Sequence, residues 1–211
     1  MQTNEKRQKA HFFHSTTPQA PTILLYLPQI FKHEHYIILN MKDFKTLCET
    51  RFSTRKFTEQ PVSDDDLSYI LECARLAPSA VNRQPWRFLI VKSKENLENL
   101  RQCYSREWFR TAPLCIVALK DTTQAWVRPE DQKPHDDIDL SIAIEHICLA
   151  AAERGLGSCW VCNYDPTLFA QLFPQQPGIE AVALIPIGHI APDCPQKEKS
   201  RKSLEEITET I

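Results

Sequence analysis

Glycine is scarce in this sequence, and its scarcity excludes one large class of nucleotide-binding site. Only four glycines occur in 211 residues, at positions 155, 157, 178 and 188. Gly155 and Gly157 lack the third glycine of a dinucleotide-binding fingerprint and follow a predicted helix rather than a strand. The sequence therefore argues against a glycine-rich phosphate loop and against Rossmann-type dinucleotide binding.

Long runs of one charge are also missing. The chain has 25 Lys and Arg against 27 Asp and Glu, a formal net charge of −2, so it has no basic footprint for a nucleic acid. The best apolar run of the first forty residues, 23–27, is far shorter than the roughly 20 residues that span a bilayer. With 42% hydrophobic and 25% charged residues, the composition is typical of a globular protein. We expect neither nucleic acid nor membrane among its partners.

The eight cysteines predict free thiols rather than a disulfide framework. At this chain length they are too sparse for a small secreted scaffold. Cys115 and Cys148 lie inside apolar runs, and Cys73 shares a predicted helical face with Ile70 and Ala77. Because free cysteine behaves as a small buried hydrophobe, the pattern favours a cytoplasmic location.

The first forty residues differ from the rest of the chain. They hold four of the seven histidines, no cysteine and no sustained periodicity. We predict that residues 1–40 are an extension outside the core fold, translated upstream of a start at Met41, and that residues 41–211 form one domain. The alternative is an arm that packs on a partner subunit through its aromatic residues.

From residue 41 onward the pattern predicts helices and strands without strict alternation. Apolar periodicity and capping residues predict helices at 43–50, 63–77, 94–102, 137–153, 166–172 and 203–211. Short apolar runs predict strands at 86–91, 114–119, 158–161 and 181–187, and the polar stretch 121–136 is a long loop. This mixture favours an α+β sandwich over a doubly wound sheet.

Two predicted elements carry specific expectations about burial and pairing. The 137–153 helix is apolar on most of its circumference, which predicts a central, enclosed helix. Pro186 has no amide hydrogen, so we expect it at the unpaired edge or the end of its strand.

A first candidate binding motif is Arg51-x-Ser53-x-Arg55. In an extended segment every second side chain points to one side, so these three side chains point together. Two guanidinium groups with a hydroxyl between them suit a phosphate or a carbonyl-rich ring. Solvated arginines at a helix terminus are the alternative explanation of the same pattern.

A second motif runs from Ala77 to Trp86 and reads APSAVNRQPW. Small residues between two prolines let a flat ring approach the backbone. The side-chain amides of Asn82 and Gln84 offer donors and acceptors in one plane, which matches the edge of a pyrimidine or flavin. An ordinary helix-to-strand loop does not need this ordered set.

These two motifs, followed by Gly155-Leu156-Gly157-Ser158-Cys159-Trp160 after the apolar helix, resemble the nitroreductase family of flavoproteins. The resemblance runs in order from about residue 41 to the C-terminus. It implies an α+β fold with a central, mostly antiparallel sheet flanked by helices, in an intertwined homodimer with two FMN sites at the subunit interface. It also implies reduction of FMN by NAD(P)H and reoxidation by a nitro compound, a quinone or a similar small oxidant, in ping-pong order.

The resemblance assigns cofactor contacts by position. It places Arg51, Ser53 and Arg55 at the phosphate and pyrimidine side of FMN, and Arg201 at the phosphate. The residues that would line the ring or complete the site are Pro78, Ser79, Ala80, Asn82, Gln84, Gly157, Pro186 and Gly188. No nucleophile and base stand out in the sequence, in agreement with chemistry centred on the flavin, so we predict no catalytic acid or base.

Three further hypotheses concern substrate and chemistry. Trp126, the conspicuous aromatic of the 121–136 loop, is the candidate substrate contact, capping the flavin face. A flavoenzyme of the same fold with other chemistry, reductive dehalogenation or flavin breakdown, is an alternative function.

The third hypothesis is a different class of protein, a thiol- or zinc-dependent regulatory protein that uses Cys159 and Cys162. In a strand, positions three apart face opposite sides about 10 Å apart, too far for a disulfide. No second Cys-x-x-Cys completes a metal site, so we expect no metal.

Overall fold

The computed structural model describes residues 43–211. The predictions for residues 1–40 and for a start at Met41 lie outside the described residues. Within the described part, the predicted α+β class and the central antiparallel sheet flanked by helices are confirmed.

The sheet has four strands in the order β1-β2-β4-β3, and every neighbouring pair is antiparallel. The strands are β1 (Trp86–Val91), β2 (Leu114–Asp121), β3 (Leu156–Ser158) and β4 (Ile179–His189). Strand β2 is buried along nearly its whole length. Its apolar residues alternate between two core clusters, one on each face of the sheet, as the period of two in a strand requires.

The helices cover both faces. They are α1 (Phe44–Thr50), α2 (Asp64–Arg75), α3 (Lys94–Cys103), α4 (Asp136–Glu153), α5 (Pro166–Leu172) and α6 (Leu204–Ile207). Helices α2 and α4 contribute to the core on one face, and α3 and α5 to the core on the other. Five helices begin at an Asp or Ser whose side chain accepts a backbone N–H of the first turn, which satisfies a donor that the helix itself leaves free.

Two predicted boundaries are wrong. The strand predicted at 158–161 is observed at Leu156–Ser158, and Val161 forms only an isolated bridge with Leu184. Gly155, at φ +72°, turns the chain so sharply after α4 that the strand begins at once. The helix predicted at 203–211 is limited to Leu204–Ile207, whose two apolar ends are exposed, so no packing extends it.

Pro186 lies in an inner strand rather than at a sheet edge or a strand end. Its Cα pairs with Cys115 in β2, and β4 continues to His189. On the other side, β3 ends at Ser158, opposite Ile187, and pairing resumes only at the Val161–Leu184 bridge. The Pro186 nitrogen lies on the side of this interruption, because in an antiparallel strand it lies on the same side as the N–H of Leu184, two residues away. The strand therefore loses no ladder hydrogen bond at the proline.

Helix α4 is only partly enclosed in the single chain. Nine of its residues are buried, but Ile138 is 43% exposed and Phe44, beside the same face, is 70% exposed. These two residues line an open groove of about 740 Å³ together with Ile142, Leu149 and Trp160. The predicted full enclosure of this helix is therefore not achieved by residues 43–211.

Among the helices of residues 43–211, none has both the length and the apolar character to cross a membrane. In the same part of the chain, no cluster of three or more His, Cys, Asp or Glu side chains could hold a metal ion.

Candidate flavin site

The Arg51–Arg55 segment is extended and lies beside β3. Arg51 ends α1, and its N–H donates to Leu47 O at 2.9 Å. Two residues on, Ser53 bridges Ser158, and the Thr54 N–H donates to Ser158 O at 2.9 Å. The Thr54 side chain is fully buried, whereas Arg51, Ser53 and Arg55 line one cavity of about 250 Å³. Phe52 lines the same cavity, so the predicted alternation is only partly present, in the burial of Thr54.

The C-terminal segment forms the other wall of this cavity. Its lining residues there are Pro195, Lys197, Glu198, Lys199, Ser200 and Arg201. An ion pair between Lys56 and Asp193 holds the start of the segment, and Lys199 Nζ donates to the carbonyl oxygens of Cys48 and Glu49 at the end of α1. The structure therefore brings the predicted Arg201 together with the arginine motif.

The cavity, which we call the cationic cavity, carries a strong excess of positive charge. Five of its lining residues are Arg or Lys, and Glu198 is its one carboxylate. Burial lowers the pKa of Lys199, and the charges of Arg51 and Arg201 lower it further. Arg51 has one additional acidic neighbour, Glu145 of α4, at 3.9 Å. A bound anion would relieve the repulsion between these cations.

The sequence analysis missed Lys199. Its spacing to Arg201 repeats the alternation of the first motif, which is the signal that could have identified it. The structure adds Lys199 to the candidate phosphate ligands, because it lines the same cavity as the three predicted arginines.

The second motif forms an exposed loop of unusual backbone conformation. Residues Ala80–Asn82 make a single 3₁₀ turn after Ser79. Val81, Asn82 and Gln84 have φ values of 45°, 58° and 52°, in the left-handed region that non-glycine residues rarely adopt. Such conformations persist where the surroundings impose them and are frequent at ligand sites.

Hydrogen bonds within the loop leave an amide edge free. Gln84 Nε2 donates to Asn82 Oδ1 at 3.0 Å, and the Gln84 N–H donates to Ser79 Oγ at 2.9 Å. Within residues 43–211, Asn82 Nδ2 and Gln84 Oε1 have no hydrogen-bond partner. One donor group and one acceptor are thus available at the surface, the pattern that a heterocyclic edge requires.

Ala80 contributes to this loop in a more limited way. Its N–H donates to Asp139 Oδ1 at 2.9 Å, and its carbonyl accepts from the Arg83 N–H at 3.1 Å. Both backbone groups are therefore occupied, so a ring beside Ala80 would meet its methyl group.

The two motifs lie at different places in the described part of the chain. The cationic cavity includes no residue of 78–84. The motifs contact α4 at different positions, Arg51 at Glu145 and Ala80 at Asp139, which lie about 9 Å apart along the helix axis at 1.5 Å per residue. Pro78 is exposed and Ser79 half-buried, on the loop side.

Gly157, Pro186 and Gly188 lie buried in the sheet. A Cβ atom at Gly157 would lie 2.5 Å from Thr54 Oγ1, and one at Gly188 would lie 2.7 Å from Pro113 Cδ. Packing therefore explains both glycines, and their assignment to the cofactor stays a prediction.

Trp126 lies at the base of a small hairpin within the predicted loop. Val127 bridges Pro134, and the His135 N–H donates to Trp126 O at 2.9 Å. The Trp126 ring packs edge-on against His135 with centroids 4.7 Å apart. The hairpin gives this half-buried ring a defined position, and its contact with substrate stays a prediction.

Cys159 and Cys162 occupy different environments. Cys159 is 3% exposed, whereas Cys162 is exposed. Burial raises the pKa of the Cys159 thiol, which makes it a poor nucleophile. All eight cysteines are free, so the structure offers nothing in favour of a thiol pair.

Comparison with known proteins assigns the chain to a class. The profile of the "Nitroreductase family" matches residues 48–105 and 97–189. The chain belongs to the nitroreductase family, as the sequence motifs indicated.

Curated relatives carry three different names. A protein of Archaeoglobus fulgidus named "Putative NADH dehydrogenase/NAD(P)H nitroreductase" is 34% identical over 59% of this chain and 70% of its own length. An iodotyrosine deiodinase of Thermotoga neapolitana is 26% identical over 78% of this chain and 96% of its own. A 5,6-dimethylbenzimidazole synthase of Rhodospirillum rubrum is 30% identical over 57% of this chain and 69% of its own. These names support an oxidoreductase but leave its particular reaction open.

Solved structures share the fold. A nitroreductase family protein of Clostridium difficile 630 has a TM-score of 0.73 and 32% identity, over 80% of this chain and 98% of its own. A protein of Clostridium difficile R20291 described as an FMN-dependent nitroreductase has a TM-score of 0.59 and 28% identity, over 76% of this chain and 92% of its own.

Proposed function

We propose that the protein is an FMN-dependent oxidoreductase that passes electrons from NAD(P)H to a nitro compound, a quinone or a similar small oxidant in ping-pong order. The observation that carries the proposal is the cationic cavity, where two separate stretches of chain bring five Arg and Lys side chains around about 250 Å³. We further propose a homodimer with two FMN sites at its interface, located in the cytoplasm, where eight free cysteines stay reduced.

The cationic cavity fits the phosphate end of FMN. Guanidinium groups bind phosphate oxygens through paired, charge-assisted hydrogen bonds. Arg51, Arg55 and Arg201 supply such groups, Ser53 supplies a hydroxyl and Lys199 a point charge. Burial, and after it the charges of Arg51 and Arg201, lower the pKa of Lys199, and a dianionic phosphate would offset the repulsion between these cations.

The loop of the second motif fits the ring end. Asn82 Nδ2 and Gln84 Oε1 present a donor and an acceptor, and the methyl of Ala80 leaves room for a flat surface. When bound, FMN would supply the hydride and electron chemistry. The chain's own part is to hold the cofactor, to place positive charge and amide donors near its pyrimidine side, and to cover one face with Trp126.

The proposed homodimer accounts for the open groove along α4. The groove of about 740 Å³ is lined mainly by apolar side chains, including Phe44 and Ile138. A second copy would cover it and complete the enclosure that the apolar sequence of α4 predicts. A site at the interface also allows the cationic cavity and the 78–84 loop, which lie apart in one chain, to serve the two ends of one FMN from different subunits.

A second candidate function keeps the fold and the flavin but changes the reaction. It is favoured by the relatives named iodotyrosine deiodinase and 5,6-dimethylbenzimidazole synthase. Product analysis separates the two functions: with FMN and NAD(P)H, nitroreductase chemistry reduces an added nitroaromatic. Halide release from a halogenated phenol, or loss of the flavin itself, would favour the second candidate.

The experiment that tests the proposal is a titration of FMN-free protein with FMN, followed by flavin fluorescence. We expect one FMN per subunit and a yellow protein that oxidises NAD(P)H. Arg55→Glu replaces a phosphate ligand by a carboxylate. Each charged hydrogen bond is worth about 1.5–3 kcal/mol, so loss of one alone weakens binding by roughly 10–100-fold, and the added repulsion abolishes flavin retention.

Lys94→Glu is the matched control. It makes the same change in net charge at the first residue of α3, on an exposed position outside the cationic cavity. Its FMN affinity should equal that of the wild type. A wild-type protein that takes up no FMN would overturn the proposed function, and equal affinity in Arg55→Glu would remove this arginine from the site.

A further inference from the structure

The loop that follows Ser79 needs an external support. Val81, Asn82 and Gln84 all have positive φ, and left-handed conformations of non-glycine residues cost free energy. Packing does not supply the compensation, because Val81 is 69% exposed and Asn82, Arg83 and Gln84 are exposed as well. Hydrogen bonds within the loop, from the Asn82 N–H to Ser79 O and from the Gln84 N–H to Ser79 Oγ, hold its shape, so bonds to the rest of the protein are needed to hold its position.

One of these bonds comes from a buried carboxylate. Asp139 lies in the first turn of α4 and is only 3% exposed. Its Oδ1 accepts the Ala80 N–H at 2.9 Å, while its Oδ2 has no hydrogen-bond partner within residues 43–211. Burial of a carboxylate oxygen without a partner is costly, so a residue used only for packing would not be an aspartate.

The bond acts at the start of the 3₁₀ turn. Ala80 is its first residue, and the Ala80 carbonyl in turn accepts the Arg83 N–H. The far end of the loop is held by the Asp121 N–H, which donates to Pro85 O at 2.9 Å. Without Asp139, the loop would be tied to the rest of the protein mainly at this far end, and the left-handed residues between the two anchors could relax.

Helix α4 supports the charge of this anchor. The N-terminus of a helix carries a partial positive charge that stabilises a nearby carboxylate, and a charge-assisted hydrogen bond is stronger than a neutral one. Asp137, in the same turn, is an exposed acid that pairs with Lys120 instead of the loop.

We infer that Asp139 is a positioning residue that holds the 79–84 loop, through the Ala80 N–H, in the conformation that presents the amides of Asn82 and Gln84 to the flavin. The inference rests on the proposed function for the identity of the ligand. The anchoring itself can be measured without any ligand.

The test compares Asp139→Ala and Asp139→Asn with the control Asp65→Ala, which removes an exposed acid from the first turn of α2. In the FMN-free protein, hydrogen–deuterium exchange of the segment 79–86 reports the anchor, and FMN titration reports its consequence. We expect Asp139→Ala to exchange at least 10-fold faster in this segment and to bind FMN at least 10-fold more weakly. Asp139→Asn keeps an oxygen acceptor and should recover part of both losses, while Asp65→Ala should match the wild type in both.

Arg55→Glu separates this inference from the proposed function. It should abolish FMN binding and leave the exchange of segment 79–86 unchanged. If Asp139→Ala is too unstable to purify, the comparison of Asp139→Asn with Asp65→Asn decides. Wild-type exchange rates in both Asp139 variants would overturn the inference, even if the protein binds FMN. A wild-type protein that binds no FMN would overturn the proposed function, and the exchange rates would still show whether Asp139 anchors the loop.

Discussion

Gly157→Ala tests how the sheet positions the cationic cavity. The added Cβ atom would lie 2.5 Å from Thr54 Oγ1, 2.6 Å from Thr54 Cγ2 and 2.8 Å from Thr54 Cβ. Thr54 cannot turn away easily, because its side chain is fully buried and β-branched residues have few allowed rotamers. Its backbone is also tied to Ser158 by a hydrogen bond of 2.9 Å. The substitution must therefore displace the segment that carries Ser53 and Arg55.

Overpacking of a buried site by one methyl group costs about 1–3 kcal/mol. The three contacts below 3.0 Å put Gly157→Ala at about 2–3 kcal/mol within that range. Because Ser53 and Arg55 flank Thr54, FMN affinity should fall together with stability.

Urea unfolding of the FMN-free protein measures the free-energy change. Gly155→Ala is the control, since no atom lies within 4 Å of its added Cβ and only its φ of +72° opposes the substitution. We expect it to cost about 1 kcal/mol and to leave FMN affinity unchanged. In the double variant Thr54→Gly, Gly157→Ala all three clashing side-chain atoms are removed, so its cost should be well below the sum of the single costs. A Gly157→Ala protein as stable as the wild type, or strictly additive costs, would refute this reasoning.

Three other predictions address substrate, thiols and assembly. Trp126→Ala should change KM or kcat for the oxidising substrate by several-fold; unchanged kinetics with every substrate would remove Trp126 from the substrate site. The double variant Cys159→Ser, Cys162→Ser should retain FMN binding and activity, because Cys159 is a buried thiol of raised pKa; loss of activity in a folded, FMN-loaded protein would revive the thiol hypothesis. Ile138→Glu should leave α4 folded, because a carboxylate is tolerated in the first turn of a helix, but it puts a charge into the apolar groove. Sedimentation should therefore show monomers, and an intact dimer would place the interface elsewhere.

The sheet and the main helices could be predicted from the sequence because their signals are local. The strand at Leu114 is apolar on both faces, and the helix that starts at Asp64 has a Ser63 cap and acids in its first turn. The start of β3 could not be predicted in this way. It depends on the positive φ of Gly155 and on pairing with β4, which lies more than twenty residues further along the chain.

Part of the candidate site could also be predicted from the sequence, and part could not. The Arg51 motif could be identified because its three side chains lie close together in the sequence, and in the structure they line one cavity. Lys199 was missed because its approach to Arg51 depends on the path of the C-terminal segment, which is fixed by contacts such as the Lys56–Asp193 ion pair. Asp139 was missed because a contact between residues 59 positions apart leaves no periodic signal.

Size-exclusion chromatography with light scattering and absorbance detection, after incubation with FMN, tests the central claim most directly. It measures the mass of the particle and the number of flavins that travel with it. For the proposed homodimer we expect one peak with the mass of two subunits and two FMN molecules. A colourless peak with the mass of one subunit would contradict it.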